Sequence, residues 1–460
     1  MWRDAKLWGP PVTGQRWLIP AAIAVALAAR DLGGWVTAAT SGLPIAYGEG
    51  AVLHAGQILA RGGDPYAQAQ AGLVSANYPP LAYAIVALGL PLGPFVALRL
   101  ANIVAAVAIA ALIAWRARAD RVIAVTLGAS FLAVYPVGLW TEQHRVDLLS
   151  VALCAGAIVS LGARHRGPVL FGILGALALL AKPTAALPLA AVVAYLLWHD
   201  RRMAIRSVAA LTLASLSGIA IILLRSDPRG LVDHLAGNNA FPYDWRNPMF
   251  LLVLATLLLG AFVIPAVARA DGIMRAYLAG AIGVVILGGH EGATVNYLLD
   301  LAAAALLALA PVARHRLRFT PALIAGQLIA TMALTISGSF APAGLATRAE
   351  RVALVSALPA GGRYYVEDSG PLLAAGLEPY VDDAYVWARL VALGKRTDDV
   401  TPLVEARAFG AIISDVPLAT IGTASEIERQ RWPQALVDAV LRSYVLDAAT
   451  AGGYRYLPRR

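Results

Sequence analysis

The chain has 460 residues, of which 59% are hydrophobic and 14% are charged, and its mean hydropathy is +0.67. Soluble domains carry about 25% charged residues, so this composition excludes an ordinary soluble enzyme and predicts a membrane protein. The net charge of +9 lies mainly in short basic clusters between apolar segments, which indicates positive-inside topology and not nucleic-acid binding.

Six basic clusters determine the predicted path of the chain through the membrane. If all six are cytoplasmic, each consecutive pair must enclose an even number of crossings. The result is a polytopic all-α membrane part of about eleven spans, with the N-terminus inside and the C-terminus outside. The clusters are Arg3/Lys6/Arg16, Arg116/Arg118/Arg121, Arg164/Arg166, Arg201/Arg202/Arg206, Arg269/Arg275 and Arg314/Arg316/Arg318.

The spans are the apolar stretches between these clusters. The first shows no signal-peptide cleavage pattern and is expected to remain as an anchor, and span four holds the single cysteine, Cys154, which excludes an intramolecular disulfide. The segment from Pro80 to Leu92, about thirteen residues with prolines at both ends, is too short to cross and is expected to be interfacial or re-entrant. In chain order the spans are Trp17 to near Ser41, Pro94 to Ala114, Val122 to Trp140, Leu148 to Ala163, Val169 to Leu180, Ala185 to Leu197, a span ending near Leu224, one beginning at Met249, two that turn at Gly289 to Tyr297, and Thr320 to about Ser337.

From residue 342 to residue 460 the composition becomes that of a small soluble α/β domain on the outer side, whereas residues 1–341 form the membrane domain. Two short strands are predicted at Arg363 to Glu367 and Phe409 to Ser414. Helices with polar faces are predicted at Ala346 to Leu358, Asp383 to Leu393 and Glu426 to Leu441.

The first outward loop, about residues 42–93, has the most unusual sequence. Gly48-Glu49-Gly50 opens a predicted interfacial helix that runs to Arg61. The segment continues with ARGGDPY, in which Gly62-Gly63 ends the helix and Asp64-Pro65-Tyr66 begins a turn. NYPPL and the apolar Pro80 to Leu92 segment follow.

This arrangement resembles the first periplasmic loop of the GT-C superfamily of membrane glycosyltransferases, in particular the bacterial protein-mannosyltransferase-like and polyprenyl-phosphate-sugar-dependent families. Three later motifs match in order and sidedness: EQHRVDLLS (Glu142 to Ser150), ALLAKPTAALPL (Ala178 to Leu189) and GGHEGATVNYLLD (Gly288 to Asp300). The tail sequence YYVEDSGPLLAAGLEPYVDD adds to the likeness.

The resemblance implies an inverting glycosyltransferase whose loop acid acts as catalytic base. Glu49 takes that position, and Asp31, near the outer part of span one, is the second candidate, because the superfamily often has an aspartate where this chain has Glu49. Cations would hold the departing phosphate, with Lys182 and Arg145 the first candidates and Arg99 a third. The predicted substrate-binding residues are Asp64, Tyr66, Tyr78, Arg99, Glu142, His144, Arg145, Asp147, Lys182, His290, Glu291, Asn296 and Tyr297.

The predicted topology supports this chemistry, because five candidate acids lie on the outer face: Glu49, Asp64, Glu142, Asp147 and Glu291. Nucleotide sugars are cytoplasmic, so an outward-facing transferase needs a donor that is presented outside, and a sugar on a polyprenyl phosphate meets that need. The expected location is therefore a bacterial inner membrane, with the active site facing the periplasm. The expected partners are this donor, membrane lipids and a glycan, lipid or protein acceptor, and no nucleic acid.

Simpler structural roles remain open for each candidate. Glu49 would also favour a helix N-terminus, Asp31 would pair with a neighbouring basic side chain, and Lys182 would extend to the outer surface. Arg145 and Asp147 would form a structural ion pair, and Asp64 is typical of a turn. A divalent metal at His144, His290 and Glu291 is not favoured, because these residues lie on different loops without diagnostic spacing, so no cofactor is expected.

Two other functions are weighed. A secondary transporter or lipid flippase predicts internal repeats and paired interrupted helices, neither of which the sequence contains. An O-antigen ligase or polymerase predicts a large outward loop between late spans, whereas the largest outward loop between spans here is the first.

Overall fold

The computed structural model describes residues 14–68, 71–163, 165–313, 320–336 and 344–460. Its first part, to residue 336, is helical, and its last part carries a small sheet. The helices of the first part are α1 (Leu18–Thr40), α2 (Glu49–Ala60), α3 (Pro80–Gly89), α4 (Val96–Arg116), α5 (Arg121–Ala133), α6 (Tyr135–Thr141), α7 (Asp147–Ser160), α8 (Gly167–Ala181), α9 (Ala186–His199), α10 (Arg201–Leu223), α11 (Pro228–Val232), α12 (Arg246–Arg269), α13 (Gly272–Leu287), α14 (Leu299–Leu309) and α15 (Thr320–Ile336).

Each of the eleven predicted spans contains an apolar helix, which confirms a membrane protein built mainly from helices. Among the described residues, four helices are long and apolar enough to cross by themselves: α1 with its preceding turn, α4, α10 and α12. The bent pair α5 and α6, at 59°, would make a fifth. The remaining apolar helices have 10–17 residues, so the count of eleven crossings and their direction stay predictions.

Two bends in the bundle come from prolines, which cannot continue a preceding helix. Pro136 lies in the first turn of α6, which follows extended backbone at Val134. Pro183 follows Lys182, whose extended backbone ends α8, and a single 3-10 turn then leads into α9. The second bend places the lysine in a short turn between two apolar helices, as predicted from Lys182-Pro183-Thr184.

Helix α14 lies at the centre of the bundle, and every residue from Leu299 to Leu309 is buried. It packs against α12, α13 and α7, while α10 packs on α8 and keeps a broad apolar face exposed. Leu213 and Ile221 on that face are 70% and 68% exposed. Because lipid is the only solvent that favours such a surface, α10 is expected on the outside of the bundle.

The C-terminal region, residues 344–460, contains four strands in the order β1-β2-β4-β3. Strands β1 and β2 are parallel and fully buried, whereas β4 is antiparallel to both β2 and β3. The elements are α16 (Leu345–Ser356), β1 (Tyr364–Val366), α17 (Ser369–Ala374), α18 (Ala384–Ala392), α19 (Thr401–Glu405), β2 (Ala411–Ser414), α20 (Glu426–Arg431), α21 (Gln434–Ser443), β3 (Tyr444–Thr450) and β4 (Gly453–Pro458).

The two predicted strands coincide with β1 and β2, and the predicted helices coincide with α16 and α18. The predicted helix from Glu426 to Leu441 is instead two helices, because Pro433 prevents α20 from continuing into α21. The hairpin of β3 and β4 is additional to the prediction.

Candidate active site

The Gly48-Glu49-Gly50 sequence is explained by the way α2 begins. Gly48 has φ +81°, a left-handed conformation that glycine adopts without strain. A Cβ at Gly50 would lie 2.3 Å from the Ser369 hydroxyl oxygen and 2.4 Å from the Gly370 backbone nitrogen, so only glycine lets α17 approach so closely. Glu49 is thereby fixed at the first turn of α2, directly under the C-terminal region.

Glu49 is completely buried and both of its carboxylate oxygens accept hydrogen bonds. Oε2 accepts from the Arg99 guanidinium at 2.8 Å and from the Ile45 backbone N–H at 2.5 Å, and Oε1 accepts from the His144 backbone N–H at 2.5 Å. Burial alone would raise the pKa of Glu49, but Arg99 and the two backbone donors lower it below its usual range. Glu49 is therefore an anion in this arrangement.

Arg99, the third predicted phosphate ligand, binds backbone carbonyls as well as Glu49. Its guanidinium is fully buried, donates to the carbonyls of Ala38 at 2.7 Å and Leu43 at 2.8 Å, and lies 5.4 Å from the centre of the Phe95 ring. It thus ties the end of α1 to the start of α2. Its hydrogen bonds therefore fix the position of the Glu49 carboxylate.

The loop 142–146 wraps around the start of α2. Asn102 on α4 fixes the loop by donating to the carbonyls of Gln143 at 3.0 Å and Arg145 at 2.8 Å. The Arg145 guanidinium donates to the backbone carbonyl of Tyr47 and to the Tyr78 hydroxyl at 3.3 Å. Arg145 therefore links Tyr47 and Tyr78 of the first loop, and Asp147, its predicted partner, forms its ion pair with Lys182.

Lys182 forms the centre of a second cluster. Its ammonium is paired with Asp147 Oδ1 and lies 4.9 Å from the centre of the Tyr297 ring. Asn296 donates to the same Asp147 oxygen at 2.7 Å, while Asp147 Oδ2 is buried without a hydrogen-bond partner among the described residues. Three separate predicted motifs thus meet at this point, with Tyr78 and Arg145 on the neighbouring side.

The DPY turn has a structural role in this arrangement. Asp64 accepts from the backbone N–H of Tyr66 and of Asp227, both at 3.0 Å. Tyr66 is buried and donates to the Tyr78 carbonyl at 2.8 Å. These residues shape the first loop, and Tyr78 is the member of the group that contacts Arg145.

Asp31 and Glu142 line a cavity of about 250 Å³ between α1, α6 and the end of α15. Asp31 is paired with Arg30, at 2.6 and 2.8 Å, which is the neutralised arrangement weighed as its alternative role. Glu142 is half-buried and accepts no hydrogen bond from the part of the chain that the structure describes. Burial raises the pKa of Glu142 to about 7, and Glu49 adds to that rise.

His144, His290 and Glu291, the three residues considered as metal ligands, each have other partners. His144 packs against Phe95, and burial lowers the pKa of its ring to about 4. His290 pairs with the Phe241 carbonyl at 3.1 Å, and Glu291 accepts from Arg389 of α18 at 2.8 and 3.0 Å. Within the described ranges, no three His, Cys, Asp or Glu side chains gather as metal ligands.

Sequence reasoning did not single out the residues with which the C-terminal region reaches the site. Arg348 of α16 is buried near Glu142, and its charge lowers the pKa of that carboxyl. Tyr47 donates to Asp383 at 2.7 Å, and Arg431 lies 3.7 Å from the centre of the Tyr47 ring. The tail motif YVDD was noted, but nothing in the sequence indicated that it would contact the first loop.

Comparison with known structures gives two similar chains, both of ArnT from Cupriavidus metallidurans. The structure bound to undecaprenyl phosphate has a TM-score of 0.64 and the apo structure 0.65; each is 14% identical, over 94% of this chain and 97% of that chain. No protein-family model and no curated protein sequence matches the chain. The likeness covers nearly the whole molecule and confirms the predicted GT-C-like fold.

Proposed function

We propose that the chain is an inverting glycosyltransferase that moves one sugar from a polyprenyl-phosphate donor to an acceptor hydroxyl on the periplasmic face of a bacterial inner membrane. The observation that carries the proposal is the cluster of Lys182, Arg145, Tyr78 and Tyr297 within a fold shared with a protein solved with undecaprenyl phosphate. A transporter or flippase is not favoured, because no feature of the described residues supports it over a transferase.

The Lys182 cluster has the unsatisfied bonding capacity that a phosphate requires. The lysine side chain is 13% exposed, and within the described residues its ammonium makes one hydrogen bond, to Asp147. The buried Arg145 Nε atom has no partner there. Asp147 pairs with Lys182 and also feels the charge of Arg145, so two cations lie near one carboxylate and a phosphate would bring the local charge closer to neutral. Cations in a site of low water content stabilise a departing phosphate strongly.

The reaction would proceed by direct displacement at the anomeric carbon. The acceptor oxygen forms a bond to that carbon as the bond to the phosphate oxygen breaks, and the electron pair leaves with polyprenyl phosphate. A carboxylate takes the acceptor proton. Lys182 and Arg145 would hold the phosphate throughout, and the apolar segment from Pro80 to Leu92 would border the lipid chain.

Glu49 is the carboxylate that the resemblance assigns to proton removal. Its geometry also supports a second role, since its three hydrogen bonds join the start of α2 to Ile45, to Arg99 on α4 and to the loop 142–146. Glu49→Gln would keep the shape and lose the charge, so both roles predict lost transfer. Only the structural role predicts a lower unfolding temperature as well, because Arg99 would lose its buried counter-ion.

The proposal is tested with the purified full chain in lipid nanodiscs and a panel of radiolabelled undecaprenyl-phosphate hexoses and pentoses. Time-dependent release of undecaprenyl phosphate from at least one donor is the expected result. No release from any donor, together with no binding of undecaprenyl phosphate, would overturn the proposal. Reporter fusions after Arg118 and after Gln143 test sidedness and are expected inside and outside, respectively.

A further inference from the structure

Three carboxylates differ in the hydrogen bonds that they accept: Asp31 within α1, Glu49 at the start of α2 and Glu142 directly after α6. Glu49 accepts from Arg99 and two backbone N–H groups, and Asp31 accepts from Arg30. Glu142 alone of the three accepts no hydrogen bond from the described residues. A base must reach its substrate proton within about 2.6–3.2 Å, and a carboxylate already surrounded by donors has little room for another.

Glu142 lines the cavity and belongs to the loop that also carries Arg145 of the proposed phosphate cluster. It lines the cavity of about 250 Å³ together with Trp35 and Tyr135. Two residues later, the His144 N–H binds Glu49, and the next residue is Arg145. The same short loop therefore carries an open carboxylate and a cation of the phosphate cluster.

We propose that Glu142 is the base that removes the acceptor proton, with the hydroxyl entering through this cavity, and that Glu49 is a positioning residue. The inference rests on the proposed function and specifies one of its groups. The acceptor O–H bond breaks, its proton passes to a Glu142 oxygen, and the acceptor oxygen bonds to the anomeric carbon. The phosphate leaves with the electron pair of the broken C–O bond.

The charges around Glu142 suit this task. Arg348 on α16 and Arg99 on α4 lower its pKa, whereas burial, Glu49 on α2 and Asp31 on α1 raise it, with a result of about 7. Arg30 lines the same cavity. A base with a pKa near the working pH combines a useful ionised fraction with a good affinity for the proton.

The test compares Glu142→Gln, Glu142→Ala and the exposed control Glu378→Gln in the nanodisc assay, using the donor that turns over fastest. Glu142→Gln is expected to bind undecaprenyl phosphate within about twofold of wild type and to lose about 10²–10⁴-fold in transfer rate. Added formate should restore part of the rate of Glu142→Ala. The control should behave as wild type, since Glu378 is 60% exposed and pairs only with Arg61 among described residues.

A pH profile gives a second readout that a structural role would not move. The wild-type rate should fall below pH about 7 as Glu142 becomes protonated. Arg348→Gln should move that midpoint upward, because it removes a charge that lowers the pKa of Glu142.

A wild-type transfer rate in Glu142→Gln would overturn the inference. It would also be overturned if formate restored none of the rate of Glu142→Ala and Arg348→Gln kept the wild-type pH profile. Either outcome leaves the proposed function intact. Absence of both turnover and undecaprenyl phosphate binding in wild type would overturn the proposed function and this inference with it.

Discussion

Two buried ion pairs lie in the candidate active site, and they differ in the hydrogen bonds that each still lacks. Both side chains of the Glu49–Arg99 pair are 0% exposed, and the guanidinium also holds two backbone carbonyls. In the Lys182–Asp147 pair the lysine is 13% exposed and Asp147 Oδ2 has no partner within the described residues. We call the first pair closed, because both Glu49 oxygens are bonded, although the buried Arg99 guanidinium leaves Nε without a partner among the described residues. We call the second pair open, because the Lys182 ammonium has one hydrogen-bond partner there, Asp147, and can still donate to an anion.

The difference suggests how stability and binding are divided between the two pairs. A buried pair costs desolvation and stabilises the fold only with good geometry and further hydrogen bonds. The Glu49–Arg99 pair meets that condition and connects α1, α2, α4 and the loop 142–146. The Lys182–Asp147 pair has fewer hydrogen bonds, and the donors that could bind an anion belong to the lysine ammonium, which uses one of its three with Asp147.

The largest expected effect is on the closed pair. Arg99→Met leaves Glu49 buried without its counter-ion, which should destabilise the protein by about 3–5 kcal/mol. Arg61→Met is the matched control, because the Arg61–Glu378 pair is more than half exposed on both sides and such pairs contribute about 0–1 kcal/mol. Thermal unfolding in detergent measures both, and an Arg99→Met midpoint equal to that of wild type would show that the pair is not structural.

A smaller effect is expected at the open pair, and there on binding. Lys182→Met alone would leave Asp147 unpaired, so the comparison is made in an Asp147→Asn background. The single variant Asp147→Asn and the double variant Lys182→Met/Asp147→Asn differ only at residue 182. The double variant should bind undecaprenyl phosphate about 10–100-fold more weakly, as one charged hydrogen bond of about 1.5–3 kcal/mol is lost. The double variant Lys182→Arg/Asp147→Asn should recover part of the affinity, because arginine restores the positive charge. The recovery should be incomplete, because a planar guanidinium replaces the compact ammonium.

Equal affinities across these three variants would make Lys182 a membrane-surface anchor and leave Arg145 as the phosphate ligand. Lys395→Met controls for a general loss of positive charge, because that ammonium binds the carbonyls of Gly237 and Ala240, away from Lys182.

Gly50 tests whether the closed pair depends on the C-terminal region. Gly50→Ala places a methyl group against Ser369 and Gly370, which should cost about 1–3 kcal/mol through overpacking. Faster hydrogen exchange in α17 is the expected result. Gly33→Ala in α1 has no atom within 4 Å of its new methyl and should leave that exchange unchanged; equal protection in Gly50→Ala and wild type would contradict the close packing.

The smallest effect concerns pH and the acids of the C-terminal region. Burial and the nearby Glu367 charge raise the pKa of Asp415, and burial raises that of Asp368. The folded state therefore binds more protons than the unfolded state, so this contribution to stability is present at low pH and declines as pH rises through the raised pKa values. The unfolding midpoint should be a few degrees lower at pH 8 than at pH 5.5, and Asp415→Asn should reduce that difference; an unchanged difference would argue against Asp415 as the source.

The sequence predicted much of the fold because membrane helices follow from local apolarity and charge. The positions of α1, α4 and α12, and of the turn at Lys182, follow from runs of residues that the bilayer constrains individually. Strands β1 and β2 were also predicted, since both are short, apolar and fully buried. The hairpin of β3 and β4 was missed because its exposed residues, such as Val445 and Leu446, lack the alternating pattern of a half-buried strand.

Contacts between distant segments explain the part of the site that sequence reasoning did not supply. That Lys182, Asp147 and Asn296 share one point depends on the packing of α7, α8 and the turn before α14, which no local pattern encodes. Arg99 was proposed for phosphate because charge alone was visible, whereas its carbonyl partners Ala38 and Leu43 appear only in the fold. Arg348 comes near Glu142 because α16 packs on α17 and α17 packs on α2, which are contacts that no local pattern encodes.

The most direct test of the account is the position of the phosphate in a structure of the full chain with undecaprenyl phosphate in nanodiscs. The account predicts a phosphate oxygen within about 2.7–2.9 Å of the Lys182 ammonium, a contact to Arg145, and the Glu49–Arg99 pair unchanged. A phosphate bound elsewhere, with Lys182 still held only by Asp147, would contradict it.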